Sequence, residues 1–201
     1  MVSNSSAVLF LTGIVVVLIM PGPTNTLLAA AGLRLGFRRA ARLTGAELAG
    51  YLVSITLWGV SLAQVAHVSA VWPKLVRLGC CIYIAYLALR MWRSAVDLPS
   101  SSKWTIGVRT MFCTTLLNPK AILFAGTIFP AVAFQRVPAY FEAMAIFATV
   151  LVPIGIGWVA FGSALGSDRP MFVKIKPERV QQCASVVLAT FSVLLAYSLF
   201  R

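Results

Sequence analysis

The chain has 201 residues, of which 60% are hydrophobic and 11% are charged, and its formal net charge is +12. Soluble domains carry about a quarter charged residues, so this composition excludes an ordinary soluble domain. The basic excess alone would suit a nucleic-acid-binding protein, but the hydropathy argues against that partner and for basic residues along one side of a membrane.

Six stretches are apolar and long enough to cross a hydrocarbon core, which takes about 20 helical residues. They lie near residues 6–31, 43–66, 70–91, 111–134, 140–165 and 180–200. Little sequence remains outside them for a soluble domain. Residues 1–7 contain no basic side chain, so we expect span 1 to be permanent and not a cleaved signal peptide.

The basic residues divide unequally between the two sides of the predicted bundle. Twelve of the 17 lie in the connections that follow spans 1, 3 and 5, which share one side of the membrane. Four lie on the opposite side, and Lys120 alone falls within a span. Because cytoplasmic loops carry the Lys and Arg excess, we expect both termini to face outward. The twelve are Arg34, Arg38, Arg39, Arg42, Arg90, Arg93, Lys103, Arg109, Arg169, Lys174, Lys176 and Arg179.

Span 1 is interrupted by Pro21, Gly22 and Pro23 in "LIMPGPTNTLLAA". Both prolines lack an N–H group, so the carbonyls one turn earlier, near Val17 and Ile19, lose their partners. Within a membrane such a loss is tolerated only where protein or water supplies a replacement. The break therefore predicts a cavity or a tightly packed protein interior.

The chain can restart as a helix after this break. Pro23 suits a first helical position, and Thr24 or Asn25 can satisfy free N–H groups there. A simple kink is the alternative for one isolated proline, and we interpret Pro153 in span 5 as such a kink.

Span 2 contains Glu47, an acidic residue a turn or more inside the membrane. Ala46, Gly50 and Ser54 are small residues at helical spacing, which marks a packing face. We therefore expect Glu47 to face the bundle, where an ionisable residue is a functional candidate. The alternative is that it reaches the inner surface and pairs with an arginine of the preceding loop.

Span 4 carries the matching break, at Asn118, Pro119 and Lys120. Asn118 suits an N-cap and Pro119 a first helical residue. Lys120 is a candidate for binding a substrate carboxylate or for pairing with Glu47, although it could also only extend to the membrane surface.

The two breaks occupy corresponding places in two halves of three spans each. An odd number of spans per half makes the halves inverted relative to each other, as in many secondary transporters. We expect one transmembrane domain over 1–201, with repeat 1 at about 1–98, a cytoplasmic linker at about 97–110 and repeat 2 at about 111–201. The half-helix N-termini would face the interior, where their partial positive charge suits a carboxylate.

The cysteines favour neither a disulfide framework, a zinc site nor a thiol-disulfide electron carrier. All of them fall in predicted spans, without a Cys-x-x-Cys pair, and none adjoins a proline break: Cys80, Cys81, Cys113 and Cys183. Neither a nucleotide-binding loop nor a hydrolase arrangement appears. We therefore expect no cofactor, no bound metal and no enzymatic activity.

The segments "MPGPTNTLLAAAGLRLGFRRAARLTGAELAG" and "LLNPKAILFAGTIFP" resemble the LysE/RhtB family of bacterial amino-acid exporters. The resemblance covers essentially the whole chain. It implies an inner-membrane protein that exports amino acids or their derivatives, driven by proton antiport. From the two helix breaks we expect the substrate site to comprise Pro21, Gly22, Pro23, Thr24, Asn25, Asn118, Pro119 and Lys120.

One departure from the family concerns the residue directly after Pro-Gly-Pro. Many members carry Asp, Asn or Gln there, whereas this chain has Thr24, which makes Glu47 the leading replacement for a proton carrier. The alternatives are export of another small solute or a metal cation, and a membrane assembly protein without transport activity. "GSALG" at 162–166 fits either a homodimer contact or internal packing.

Overall fold

The structure is a computed structural model that describes residues 4–68 and 106–165, together with individual helical positions in two further regions. Most of predicted spans 3 and 6, and most of the linker between the repeats, lie outside the described residues. The individual positions are 71, 75, 78, 79, 81, 82, 85, 86, 89, 186, 189, 190, 193 and 197.

Regular structure in the described residues is entirely helical, which agrees with the all-α class expected from the sequence. The order is α1 Asn4–Ile19, α2 Pro23–Leu35, α3 Phe37–Ala40, α4 Leu43–Val68, α5 Val108–Leu116, α6 Lys120–Leu123, a π-helical turn Phe124–Ile128, a 3-10 turn Ala131–Phe134, and α7 Val137–Leu165.

Two described helical segments are long and apolar enough to cross a membrane, Phe37–Val65 and Val137–Leu165, each of 29 residues. Two further pairs meet the same test only together. Helices α1 and α2 bend by 54°, and α5 and α6 with the π-helical turn bend by 50°. Both bends lie at the prolines from which breaks in spans 1 and 4 were predicted, so each pair has the form of one broken span or a re-entrant loop.

Helix α2 packs closely against α7 because glycines remove side chains from the contact. A Cβ atom at Gly32 would overlap the backbone of Val159, and one at Gly162 would overlap the backbone of Ala29. Gly162 begins the "GSALG" pattern, so this glycine serves packing within the chain.

Helix α4 packs against α5 through the small residues that predicted a packing face. A Cβ at Gly50 would lie 2.9 Å from the Phe112 carbonyl oxygen. The Ser54 hydroxyl donates a hydrogen bond of 2.9 Å to the Leu116 carbonyl. The predicted packing face of span 2 is therefore confirmed.

The two broken pairs, α4 and α7 enclose an apolar core. Three of its rings, from Tyr51, Phe124 and Phe147, make edge-to-face contacts with centroids 5.0 to 5.8 Å apart. Large apolar side chains such as Leu57 and Phe141 point outward and are exposed, as a lipid-facing surface requires.

Candidate functional site

The break in span 1 leaves a short extended segment between two helices. Helix α1 ends at Ile19, and α2 begins at Pro23 after Gly22, which has extended backbone angles. Pro23 is therefore the first residue of the new helix, as the sequence predicted.

The side chain of Asn25 satisfies carbonyls at this break. Its Nδ2 donates hydrogen bonds to the carbonyls of Leu18 and Met20, at 2.6 and 2.7 Å. The sequence predicts the opposite role, in which Thr24 or Asn25 accepts hydrogen bonds from free N–H groups. The difference has a physical reason: α1 ends at Ile19, so the carbonyls at its C-terminus have no intrahelical N–H partner and the shortage at the break is of donors.

The break in span 4 is capped as the sequence predicted. The Oδ1 atom of Asn118 accepts a hydrogen bond of 3.0 Å from the backbone N–H of Lys120, which is the geometry of an N-cap side chain. The regular helix begins at Lys120 with Pro119 just before it. This start is one residue later than expected, which is within the usual variation of helix ends.

Lys120 joins the two breaks. Its Nζ atom donates hydrogen bonds to the carbonyls of Val17 at 3.0 Å and Met20 at 2.7 Å. Its side chain is 2% exposed. Gly22 leaves room for it, because a Cβ there would lie 2.9 Å from the Lys120 Cε. The carbonyl that Pro21 leaves without a donor, at Val17, thus receives a donor from the other half of the chain.

A second polar contact between the halves lies beside this bridge. The Nδ2 of Asn118 donates to the Tyr51 hydroxyl at 2.9 Å and contacts the Thr24 hydroxyl at 3.4 Å. The Thr24 and Tyr51 hydroxyls are themselves 3.4 Å apart. These three buried side chains come from α2, from α4 and from the break in span 4.

Glu47 faces this cluster and is 1% exposed. Thr24 lies within hydrogen-bonding reach of its carboxyl group, and Lys120 attracts it electrostatically. This position differs from the alternative in which Glu47 reaches the inner surface. Among the described residues, its Oε2 atom and the Thr44 hydroxyl have no hydrogen-bond partner. The Glu47 Oε2 and the Thr44 methyl group lie next to Gly155 of α7.

Most of the residues singled out from the sequence meet at this one place. Thr24, Asn25, Glu47, Asn118 and Lys120 are all buried there. The remaining four residues form the backbone of the breaks. Pro23 is exposed, and the other three are half-buried: Pro21, Gly22 and Pro119.

Sequence reasoning missed two members of the cluster, Tyr51 and Thr44. Both lie on α4 on the same face as Glu47, four residues after it and three residues before it. The i+3 and i+4 rule for helical neighbours would have found them. The signal used for that face was its small residues, which do not indicate polar neighbours such as Tyr51.

Two comparisons with known proteins bear on this site. A sequence model of the LysE type translocator family matches residues 15–199, a range that contains both breaks and the whole polar cluster. No solved structure matches the chain. Within the described residues, no group of three His, Cys, Asp or Glu side chains is placed to hold a metal ion.

Proposed function

Because the chain belongs to the LysE type translocator family, we propose that it exports amino acids or amino-acid derivatives from the cytoplasm. Family membership gives a multi-pass membrane transporter and not an enzyme. The substrate class, the coupling to protons and the location in a bacterial inner membrane are our proposal.

One observation carries the proposal: a buried cluster at the meeting of the two helix breaks holds both an acid and a base. Glu47 and Lys120 are each at most 2% exposed. Ionisable groups inside a membrane protein are costly and usually functional. An amino acid is a zwitterion and needs both polarities close together, which this cluster supplies.

The substrate would bind between the breaks. Its carboxylate would face Lys120 and the N-terminus of a half-helix, whose partial charge is positive. Its ammonium group would face Glu47 and the carbonyls at the end of α1. In the described conformation the Lys120 ammonium already binds the carbonyls of Val17 and Met20, so substrate entry would require the ammonium to leave them.

Proton coupling would act through Glu47. A proton that reaches this carboxyl from outside would weaken its hold on the substrate ammonium and accompany outward release. Two inverted repeats over about 1–98 and 111–201, with both termini outside, would allow alternating access around the fixed site.

The test is flux in proteoliposomes with an imposed pH gradient and a panel of labelled cationic, neutral and hydroxylated amino acids. Gradient-dependent accumulation of one class is the expected result. Glu47→Gln should abolish that accumulation, while Glu142→Gln, which changes an exposed acid of α7, should leave it unchanged. Undiminished proton-coupled flux in Glu47→Gln would exclude Glu47 as the proton carrier.

The helix breaks are tested separately. Pro21→Ala restores an N–H group at the break, and Asn118→Ala removes both the cap of α6 and the contact to Tyr51. Both variants should transport more slowly than the wild type, with folding checked by gel filtration. Normal flux in both would show that the breaks do not form the substrate site.

A further inference from the structure

The carbonyl oxygens of Val17 and Met20, called here the carbonyl pair, accept hydrogen bonds from a cation that is part of the chain. Val17 lies in the last turn of α1 and Met20 directly follows the helix, at the end where a helix carries a partial negative charge of about half an elementary charge. Unwound carbonyls and half-helix C-terminal ends are the groups with which discontinuous transporter helices bind cations.

We infer that the carbonyl pair is a binding site for primary ammonium groups, and that the Lys120 ammonium occupies it when substrate is absent. The inference rests on the proposed function for the identity of the natural ligand. The site itself follows from contacts at 3.0 and 2.7 Å.

The geometry favours an N–H donor over a metal ion. The contact distances are those of charge-assisted hydrogen bonds, and hard metal ions take six or more oxygen ligands. Beside the carbonyl pair stands the Asn25 amide nitrogen, itself a donor, at 2.7 Å from the Met20 oxygen. A metal ion would meet that N–H group unfavourably, whereas a primary ammonium shares the same acceptor with it.

The position of Lys120 explains how the site stays closed between transport cycles. An unpaired buried ammonium is costly; this one donates to the carbonyl pair and is attracted by Glu47. A zwitterionic substrate supplies replacements for both: its ammonium takes the carbonyl pair and its carboxylate takes Lys120. A quaternary ammonium has no N–H donor and cannot make this exchange.

Lys120→Ala tests the inference by emptying the site. The atoms removed from Cγ to Nζ correspond to propylammonium, which is therefore the probe. In purified protein, we expect propylammonium to raise the Tm of Lys120→Ala saturably, by about 3 °C at ten times its Kd. 1-Propanol, which lacks the charge, and tetramethylammonium, which lacks N–H donors, should not do so.

Three further proteins serve as controls. Wild type and Lys120→Met retain a long side chain in the site. Arg136→Ala removes an exposed cation elsewhere and keeps Lys120. Propylammonium should therefore not raise the Tm of any of these three proteins. An equal shift in these proteins, an equal shift by 1-propanol, or no shift in Lys120→Ala would overturn the inference.

If Lys120→Ala does not fold in plain buffer, the fraction of monodisperse protein after solubilisation with each probe becomes the measurement. Recovery with propylammonium alone supports the site, whereas equal recovery with every probe, or with none, refutes it. Binding is measured without flux. Transport without propylammonium binding would therefore refute this inference alone, and binding without transport would refute only the proposed function.

Discussion

Gly162 fixes how closely helix α2 can approach α7, and a single methyl group tests its role. In Gly162→Ala the added Cβ would lie 2.5 Å from the carbonyl carbon and 2.8 Å from the Cα of Ala29, and it would overlap the carbonyl oxygen of that residue. All three atoms are backbone, so no side chain can rotate away and the helices themselves must separate.

The size of the effect follows from these distances. Carbon atoms pack at about 3.5–4.0 Å, so the helices must move apart by roughly 1 Å, a gap that removes a quarter to a half of the dispersion energy of the affected contacts. Overpacking of this kind costs about 1–3 kcal/mol. Because the obstacle is backbone, we expect the upper half of that range.

Gly157→Ala is the matched control, since Gly157 lies on the same helix and a Cβ there meets nothing within 4 Å. Both substitutions gain the same intrinsic helix propensity, about 1 kcal/mol, so their difference isolates the contact with α2. The assay is the free energy of unfolding in mixed detergent micelles, with Tm as a second measure. If Gly162→Ala is as stable as Gly157→Ala, the close approach of α2 to α7 is wrong.

Three further predictions concern the polar cluster. Asn25→Leu should lower the unfolding free energy by about 1–3 kcal/mol because a buried carbonyl loses its donor. The control Thr26→Ala, at the neighbouring exposed position, should lower it by less than about 1 kcal/mol. Equal losses in the two variants would contradict a structural role for the Asn25 amide. Gly155→Ala places a Cβ 2.8 Å from the Thr44 Cγ2 and 3.0 Å from the Glu47 Oε2, so it should lower Tm and slow flux several-fold; unchanged flux would show that this oxygen is not used. The exchange Thr24→Asp with Glu47→Gln should recover part of the gradient-driven flux that Glu47→Gln alone loses, as measured in proteoliposomes, and a folded double variant without recovery would contradict the placement of the acid.

The positions of both helix breaks could be predicted because proline acts locally. A missing N–H group at Pro21 has the same consequence in any fold, and the chain does bend there, by 54° between α1 and α2. The packing face of α4 could be predicted for a similar reason, since small residues at helical spacing on Gly50 and Ser54 permit close approach wherever a partner helix lies.

The partners of the freed carbonyls could not be predicted. Lys120 is about a hundred positions from Val17 in the chain, and nothing local to either residue indicates that they meet. The sequence offered Lys120 an anionic partner, either a substrate carboxylate or Glu47, or else extension to the membrane surface. The structure gives it two neutral carbonyls, because the break supplies acceptors that a continuous helix would have used internally.

The proximity of Thr24 and Glu47 accounts for an acid on α4 in place of one directly after Pro-Gly-Pro. Thr24 of α2 lies within hydrogen-bonding reach of Glu47 on α4, so side chains at these two positions reach one small volume from opposite walls. A carboxyl group can therefore be carried by either helix and still face Lys120, which attracts Glu47 in this chain. Under the proposed function, the site needs a carboxyl in that volume opposite the Lys120 ammonium, and the short side chain of Thr24 leaves space for Glu47 to supply it.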